Sequence, residues 1–132
     1  MIRTISVRTR KRNELLDITN EVRQAVTESG VQNGLCQIFV PHTTAAVTIN
    51  EKADPDVAMD IETTLERLVP PNDGYRHAEG NSDAHVKSTL VGVSEFVMVR
   101  EGNPVLGTWQ AVFFCEFDGP RSRSCHIRVA GG

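Results

Sequence analysis

Aromatic residues are scarce in this chain and neither sign of charge dominates. Phe, Trp and Tyr make up 5% of 132 residues, with a single Trp and a single Tyr, and 14 Lys and Arg face 17 Asp and Glu. A formal net charge of -3 supplies no general attraction to nucleic acid or to an acidic membrane surface, so neither is expected as a partner. No apolar run approaches the roughly 20 residues that a membrane helix needs, and the opening Met1-Ile2-Arg3-Thr4-Ile5 lacks the apolar stretch of a secretory signal. A cytoplasmic location is the expectation. The three cysteines, Cys36, Cys115 and Cys125, are odd in number and have no CxxC spacing, which argues against a disulfide framework or a cysteine-rich zinc site. Internal repeats, low-complexity segments, an HExxH motif and an aspartate-rich diphosphate motif are also missing.

What is present fits one domain. A 39% hydrophobic and 23% charged composition over this length suits a single core rather than two. Alternation in Ile2 to Thr9 predicts a strand, and Glu14 to Ile18 is expected to pair with it after the basic turn Arg10-Lys11-Arg12-Asn13. Thr19 or Asn20 can cap a helix with Val22, Ala25 and Val26 on one face, ended by Gly30. After the Asn33-Gly34 turn, Leu35 to Val40 and Ala45 to Asn50 read as central strands. Asp54-Pro55 starts the strongest helix, with Val57, Ile61, Leu65 and Leu68 at helical spacing and Pro70-Pro71 as its stop. Pro71 to Ser82 is an irregular loop of the length that more often serves function than connection. A short helix from Asp83 to Leu90 ends at Gly92, and strands follow at 94–100, 108–117 and 122–129, the first two joined by a hairpin turn at 101–104. The sum is an α+β fold, mostly antiparallel β-sheet or sandwich, with two main helices and one short one.

The polar residues cluster unevenly. His42 follows a proline at a strand end, His77 lies in the long loop, and His85 sits in the first turn of the short helix, all places where a scaffold can present an imidazole to a pocket. With Glu51 and Asp83 these histidines form a candidate nitrogen and oxygen shell for a divalent metal, zinc or magnesium; the carboxylates can equally orient the rings, and Asp83 can cap its helix. Lys87 and Ser88 are candidates for holding phosphate near the helix start, against the plain alternative of a solvated helical face. Arg121 and Arg123 carry forks suited to phosphate. Glu116, which follows Phe113-Phe114-Cys115, needs a cationic or hydrogen-bonding partner and is either part of a substrate site or half of a structural pair. His126, on an alternating strand, is set apart from the other three, and Trp109 reads as a core or subunit contact.

Taken in order, His42-Thr43-Thr44-Ala45-Ala46 through Asn50-Glu51, Asp54-Pro55, the segment from Asn81 to Gly92, and Gly107-Thr108-Trp109-Gln110 resemble the YjbQ family from about Ile2 to Val129. That resemblance implies a small intracellular homotrimer with a β-rich α+β fold. It also implies a weak secondary thiamine-phosphate synthase activity, joining hydroxymethylpyrimidine diphosphate to a thiazole phosphate. By position it assigns His42, His77 and His85 to the site, with Glu51, Asp83, Lys87 and Ser88 as neighbours and Arg121 and Arg123 as weaker carry-overs. In that reading His42, His85 and Lys87 do the chemistry in a pocket at a subunit boundary. The competing expectations are a trimeric metal- or small-ligand-binding protein with incidental synthase activity, and a metal-dependent hydrolase.

Overall fold

In the computed structural model, which describes all of Met1–Gly132, the alternating segments become strands with one wet side and one dry side. β1 (Ile2–Arg8), β3 (Gly34–Phe39), β5 (Ser94–Arg100) and β8 (Ser122–Gly131) turn Ile5, Val7, Cys36, Ile38, Val97, Val99, Cys125 and Ile127 inward. With the two-residue β6 (Asn103–Pro104) they form an antiparallel sheet ordered β1-β8-β3-β5-β6. A second sheet, ordered β2-β7-β4, joins β2 (Glu14–Asp17), β7 (Gln110–Glu116) and β4 (Ala45–Glu51).

The inward face of the larger sheet meets the smaller sheet and α1 (Thr19–Ser29) in one core, where Val22 and Val26 of α1 pack with Val47, Val112 and Phe114. The other face of the smaller sheet carries a lesser cluster of Ala46, Cys115 and Phe117, covered by Ala84 of α3 (Ser82–Val91) and partly by Leu65 of α2 (Pro55–Leu68). β7 is therefore buried on both sides, which accounts for its unbroken apolar run. No helix is long and apolar enough to cross a membrane. The α+β architecture with three helices agrees with the sequence reading, and Cys36, Cys115 and Cys125 are free and buried.

Several expectations are corrected by the second sheet. β1 and β2 do not form an opening hairpin: β1 pairs with β8, from Ile2↔Arg128 to Arg8↔Ser122, whereas β2 pairs with β7, from Glu14↔Glu116 to Asp17↔Phe113. The cause lies in Leu15 and Leu16, adjacent apolar residues that need cover on both faces; Leu16 packs on the main core and Leu15 on the lesser cluster. The basic turn thus spans two layers. β3 and β4 likewise belong to different sheets, so Pro41 to Thr44 carries the chain across the sandwich. The turn at 101–104 returns only into β6, and β7 lies in the other sheet.

Helix ends differ in detail. Neither Thr19 nor Asn20 caps α1: Ile18 holds the N-cap position without a side-chain bond, Asp17 Oδ1 accepts from the Thr19 amide at 2.9 Å and the Thr19 hydroxyl at 2.5 Å, and that hydroxyl accepts from the Val112 amide. Gly30 ends the helix in the left-handed conformation, as expected. Asp54 caps α2 through the Asp56 amide, also as expected. No α2 residue is fully buried, however, and Leu68 is exposed. Polar bonds hold that helix instead: Glu62 accepts from the Leu15 amide at 2.9 Å and Glu66 from Asn13 Nδ2 at 3.0 Å.

The two sheets are tied at one end by Glu116, the last residue of β7. It is fully buried, and its carboxylate accepts from the Thr9 hydroxyl, Arg123 Nε and the Phe117 and Asp118 amides at 2.8 to 3.1 Å, with a further contact to Arg123 Nη2. Burial alone would raise its pKa, but these donors, Arg123 foremost, outweigh that and hold it below the ordinary carboxylate value. The pair's stabilisation is therefore fully present above the unfolded-state pKa and disappears as pH falls through the lower folded-state value. Removing one partner strands a buried charge. Arg123→Met is expected to cost about 3–5 kcal/mol in urea unfolding at pH 7, and the double variant Glu116→Leu/Arg123→Met clearly less. Gly119 closes the same corner: a Cβ there would lie 2.1 Å from the Lys11 carbonyl oxygen, so Gly119→Ala should lower the unfolding midpoint by about 1–3 kcal/mol of stability.

Candidate functional site

His42 sits where a strand ladder runs out. β3 pairs with β8 from Gly34↔Gly131 to Phe39↔His126, and continuing that register by two residues would set Pro41 opposite Ser124. The chain instead leaves the sheet there to reach β4. The Ser124 amide, left without a backbone partner on that side, donates to His42 Nε2 at 3.0 Å. Burial first, and the Arg123 guanidinium second, lower the pKa of this half-buried ring, which disfavours its protonated form. Nδ1 has no hydrogen-bond partner in the protein.

His85, half-buried on α3, faces the same cleft. This open space of about 610 Å³ is bordered by Phe39, His42, Thr43, His85, Ser88 and Thr89 together with the backbone around Val40 and Gly92. Two imidazoles and three hydroxyl-bearing residues supply its polarity; no carboxylate, lysine or arginine lines it. His85 also borders a second recess with Tyr75, Arg76, His77 and Ser82. His77 and His85 meet edge to face, with ring centroids 5.5 Å apart, and His77 Nε2 stands 3.6 Å from Glu79 Oε2. Sequence reasoning thus grouped three residues that share a region, with His85 between the other two. It did not single out Thr43 and Thr89, for which the only signal is proximity to the histidines.

The other candidates are engaged elsewhere. Lys87 is buried, and its ammonium group pairs with Glu66 Oε2 at 2.5 Å and Asn13 Oδ1 at 3.2 Å, with Asp83 Oδ2 at 3.6 Å. It faces α2, not the cleft. Asp83 is not the cap of α3, a position held by Asn81; it is fully buried and accepts from Arg12 Nη2 at 2.9 Å. Arg12, read in the sequence only as part of a basic turn, is thereby the missed member of this charge cluster. The Ser88 hydroxyl donates to the Ala45 carbonyl at 2.7 Å, joining α3 to β4. Arg121 folds back onto Asp118, and Arg123 divides its donors between Glu116 and Thr44. Glu51 ends β4, six residue steps or roughly 20 Å of strand beyond Ala45. His126 stacks on Phe39 on the outer sheet face.

These placements do not fit a preformed divalent-metal cage. No three His, Cys, Asp or Glu side chains converge on one point. A bonded His42 Nε2 has no lone pair to give, Asp83 is already paired with two cations, and Glu51 lies at the other end of its strand. The chemistry available in the cleft is that of two imidazoles and the Thr43 hydroxyl, since the Ser88 and Thr89 hydroxyls already donate to the Ala45 and His85 carbonyls.

The whole chain can be set against known proteins with this geometry in view. The model of the family described as UPF0047 protein YjbQ-like matches residues 3–132. The chain belongs to this family. A UPF0047 protein of Methanocaldococcus jannaschii is 50% identical over 131 residues, covering 99% of this chain and 95% of its own length. The UPF0047 protein YugU of Bacillus subtilis is 48% identical over 132 residues, covering 99% of this chain and all of the relative. Among solved structures, a YjbQ/UPF0047 family protein from Clostridium acetobutylicum superposes with a TM-score of 0.95 at 46% identity, covering 96% of this chain and 98% of that one. A YjbQ-like protein of unknown function from Sulfolobus solfataricus reaches 0.96 at 38% identity, covering all of this chain and 97% of that one. The UPF0047 fold is thus shared across the full length, His42 and His85 segments included.

The division between cleft and buried charge cluster in this UPF0047 domain is testable. Lys87→Met should lower stability by about 1–3 kcal/mol, because Asp83 keeps Arg12 and Glu66 keeps Asn13 while both lose the ammonium group, and the ring resonances of His42 and His85 should stay within the cleft's native pattern. Denaturant unfolding and histidine-selective NMR read the two separately.

Proposed function

We propose that this UPF0047 protein is an enzyme acting on a phosphorylated small molecule in the His42–His85 cleft, with the reaction of a secondary thiamine-phosphate synthase. The supporting observation is the cleft's lining: the His42 and His85 rings and the Thr43 hydroxyl can donate to phosphate oxygens, with no carboxylate to repel them. In this reaction the thiazole nitrogen attacks the methylene carbon of hydroxymethylpyrimidine diphosphate. The carbon–oxygen bond to diphosphate breaks, and the leaving group takes the bonding pair. Alignment of the two substrates and donors to the departing diphosphate are what the cleft would contribute. Any divalent ion would arrive with the diphosphate, since the protein side chains do not form a cage for one.

A second reading is favoured by a specific feature. Lys87 and Arg123 are consumed by internal ion pairs, so no cation lines the cleft to balance a leaving diphosphate. That suits a small-ligand-binding protein whose synthase activity is incidental. A metal-dependent hydrolase is the poorest fit, because it needs several ligands around an ion with an open position.

The partner proposed is the chain itself, as a homotrimer. The outer face of the five-stranded sheet exposes Leu35, Phe39, Phe96 and Met98 beside Arg8, Arg100 and Arg128, and the strand residues on that side include no carboxylate. α2 supplies the opposite character, with Asp56, Asp60, Glu62 and Glu66 against a single Arg67. Phe39 borders both this face and the cleft, so association there would enclose the ligand.

Purified protein given both phosphorylated precursors should release diphosphate and thiamine phosphate in equal amounts, and His42→Ala should slow this at least about tenfold. No product with any of several divalent metals would reject the synthase reading. Light scattering should give three times the chain mass, falling to one chain mass in Phe96→Asp/Met98→Asp; a wild-type monomer would reject the trimer.

A further inference from the structure

The hydrogen bond to His42 determines more than the ring's position. A backbone amide can only donate, so the Ser124 N–H at 3.0 Å requires a lone pair on Nε2. A neutral imidazole with its lone pair on Nε2 carries its proton on Nδ1. The other tautomer would point N–H at N–H. The amide itself cannot turn away, because Ser124 is fixed in β8 by its pairing with Ser6 of β1. The preference for one tautomer therefore comes from a place where β3 ends two residues too soon to serve Ser124 of β8.

The surroundings say what this proton can do. Nδ1 has no acceptor in the protein, and the ring borders a cleft with no carboxylate in its lining. The charged groups nearest in the fold, Arg123 and Glu116, are committed to each other behind the ring. We infer that His42 is locked as the Nδ1–H tautomer and acts as a fixed hydrogen-bond donor to a phosphate oxygen of the ligand, and that it is neither a metal ligand nor a general base. This rests on the reading of the cleft as the phosphate-binding site and assigns the residue its role there. A neutral imidazole donor of this kind stabilises charge on an oxygen without giving up its proton. It also explains why no carboxylate lines the cleft beside His42 and His85: a donor cleft is built for an acceptor-rich ligand, whereas a metal cage needs the reverse.

Long-range proton–nitrogen NMR on nitrogen-15-labelled protein at neutral pH reads the tautomer directly. His42 Nδ1 is expected at the shift of a protonated ring nitrogen and Nε2 at that of an unprotonated one; the reverse pattern, or fast averaging of the two, would overturn the inference. Equimolar zinc chloride should leave both His42 nitrogens in place, and a zinc-induced shift at 1:1 would assign the ring to a metal after all. Inorganic pyrophosphate should move the His42 Nδ1 proton along a saturating curve, and no movement up to millimolar concentration would reject the ligand. His42→Gln places an amide oxygen where it can still accept from Ser124 while removing the ring donor, and it should weaken pyrophosphate binding about tenfold. Unchanged binding in a folded His42→Gln would also count against the inference; if that variant does not fold, the wild-type tautomer and pyrophosphate titration still decide. The synthase reading fails separately, through absent thiamine phosphate with the Nδ1–H donor and its pyrophosphate response intact.

Discussion

The buried pair of Glu116 and Arg123 is the constraint on which the rest of this molecule depends. One carboxylate at the end of β7 gathers Thr9 from the end of β1, Arg123 from the start of β8 and the turn amides that follow it, while the same arginine reaches Thr44 at the entry to β4. Two sheets that share no backbone ladder are pinned together at that corner. A buried ion pair of this kind contributes little net free energy over a well-packed apolar replacement, yet leaving either half alone is costly. Its effect is on placement: the one carboxylate and the one guanidinium between them bond to all four chain segments.

The functional region inherits its character from that arrangement. Burial first and the Arg123 guanidinium second lower the affinity of His42 for a proton, and Arg123 does not line the cleft. A second internal cluster, Lys87 with Glu66, Asp83 and Arg12, removes the remaining lysine and acid of α3 from the solvent side. What is left facing outward is two imidazoles and a few hydroxyls. A cleft whose lining holds no carboxylate, lysine or arginine lacks the strong field that a row of fixed charges would impose, and its selectivity rests on geometry. Family membership extends over the whole domain, and a solved family member matched across that length shares its fold.

Much of this could be read from the residues. Alternation located β1, β3, β5 and β8, the Asp54-Pro55 start and the diproline stop bounded α2, and Gly30 closed α1, because each of those signals acts over one or two turns of chain. The pairing of strands could not be read the same way. Leu15-Leu16 looks like any short apolar step until a second sheet gives each residue its own core, and the proximity of β1 and β2 in sequence suggested a hairpin that the layering does not allow. Candidate chemistry divided similarly. His42, His77 and His85 were recognisable as polar residues at element ends and do lie in one region, whereas Lys87, Asp83, Arg123 and Glu116 have the residue types of a site and the partners of a core.

The sequence by itself determined the periodicities, the caps and the residue types that can do chemistry, since these follow from backbone sterics and side-chain functional groups within a few positions. Only the tertiary structure decided which charges neutralise one another and which nitrogen of His42 carries the proton. Arg12 and Asp83 are 71 positions apart, and Ser124 and His42 are separated by 82. Whether such groups meet depends on the sheet order and on where a ladder stops, and no local pattern encodes either.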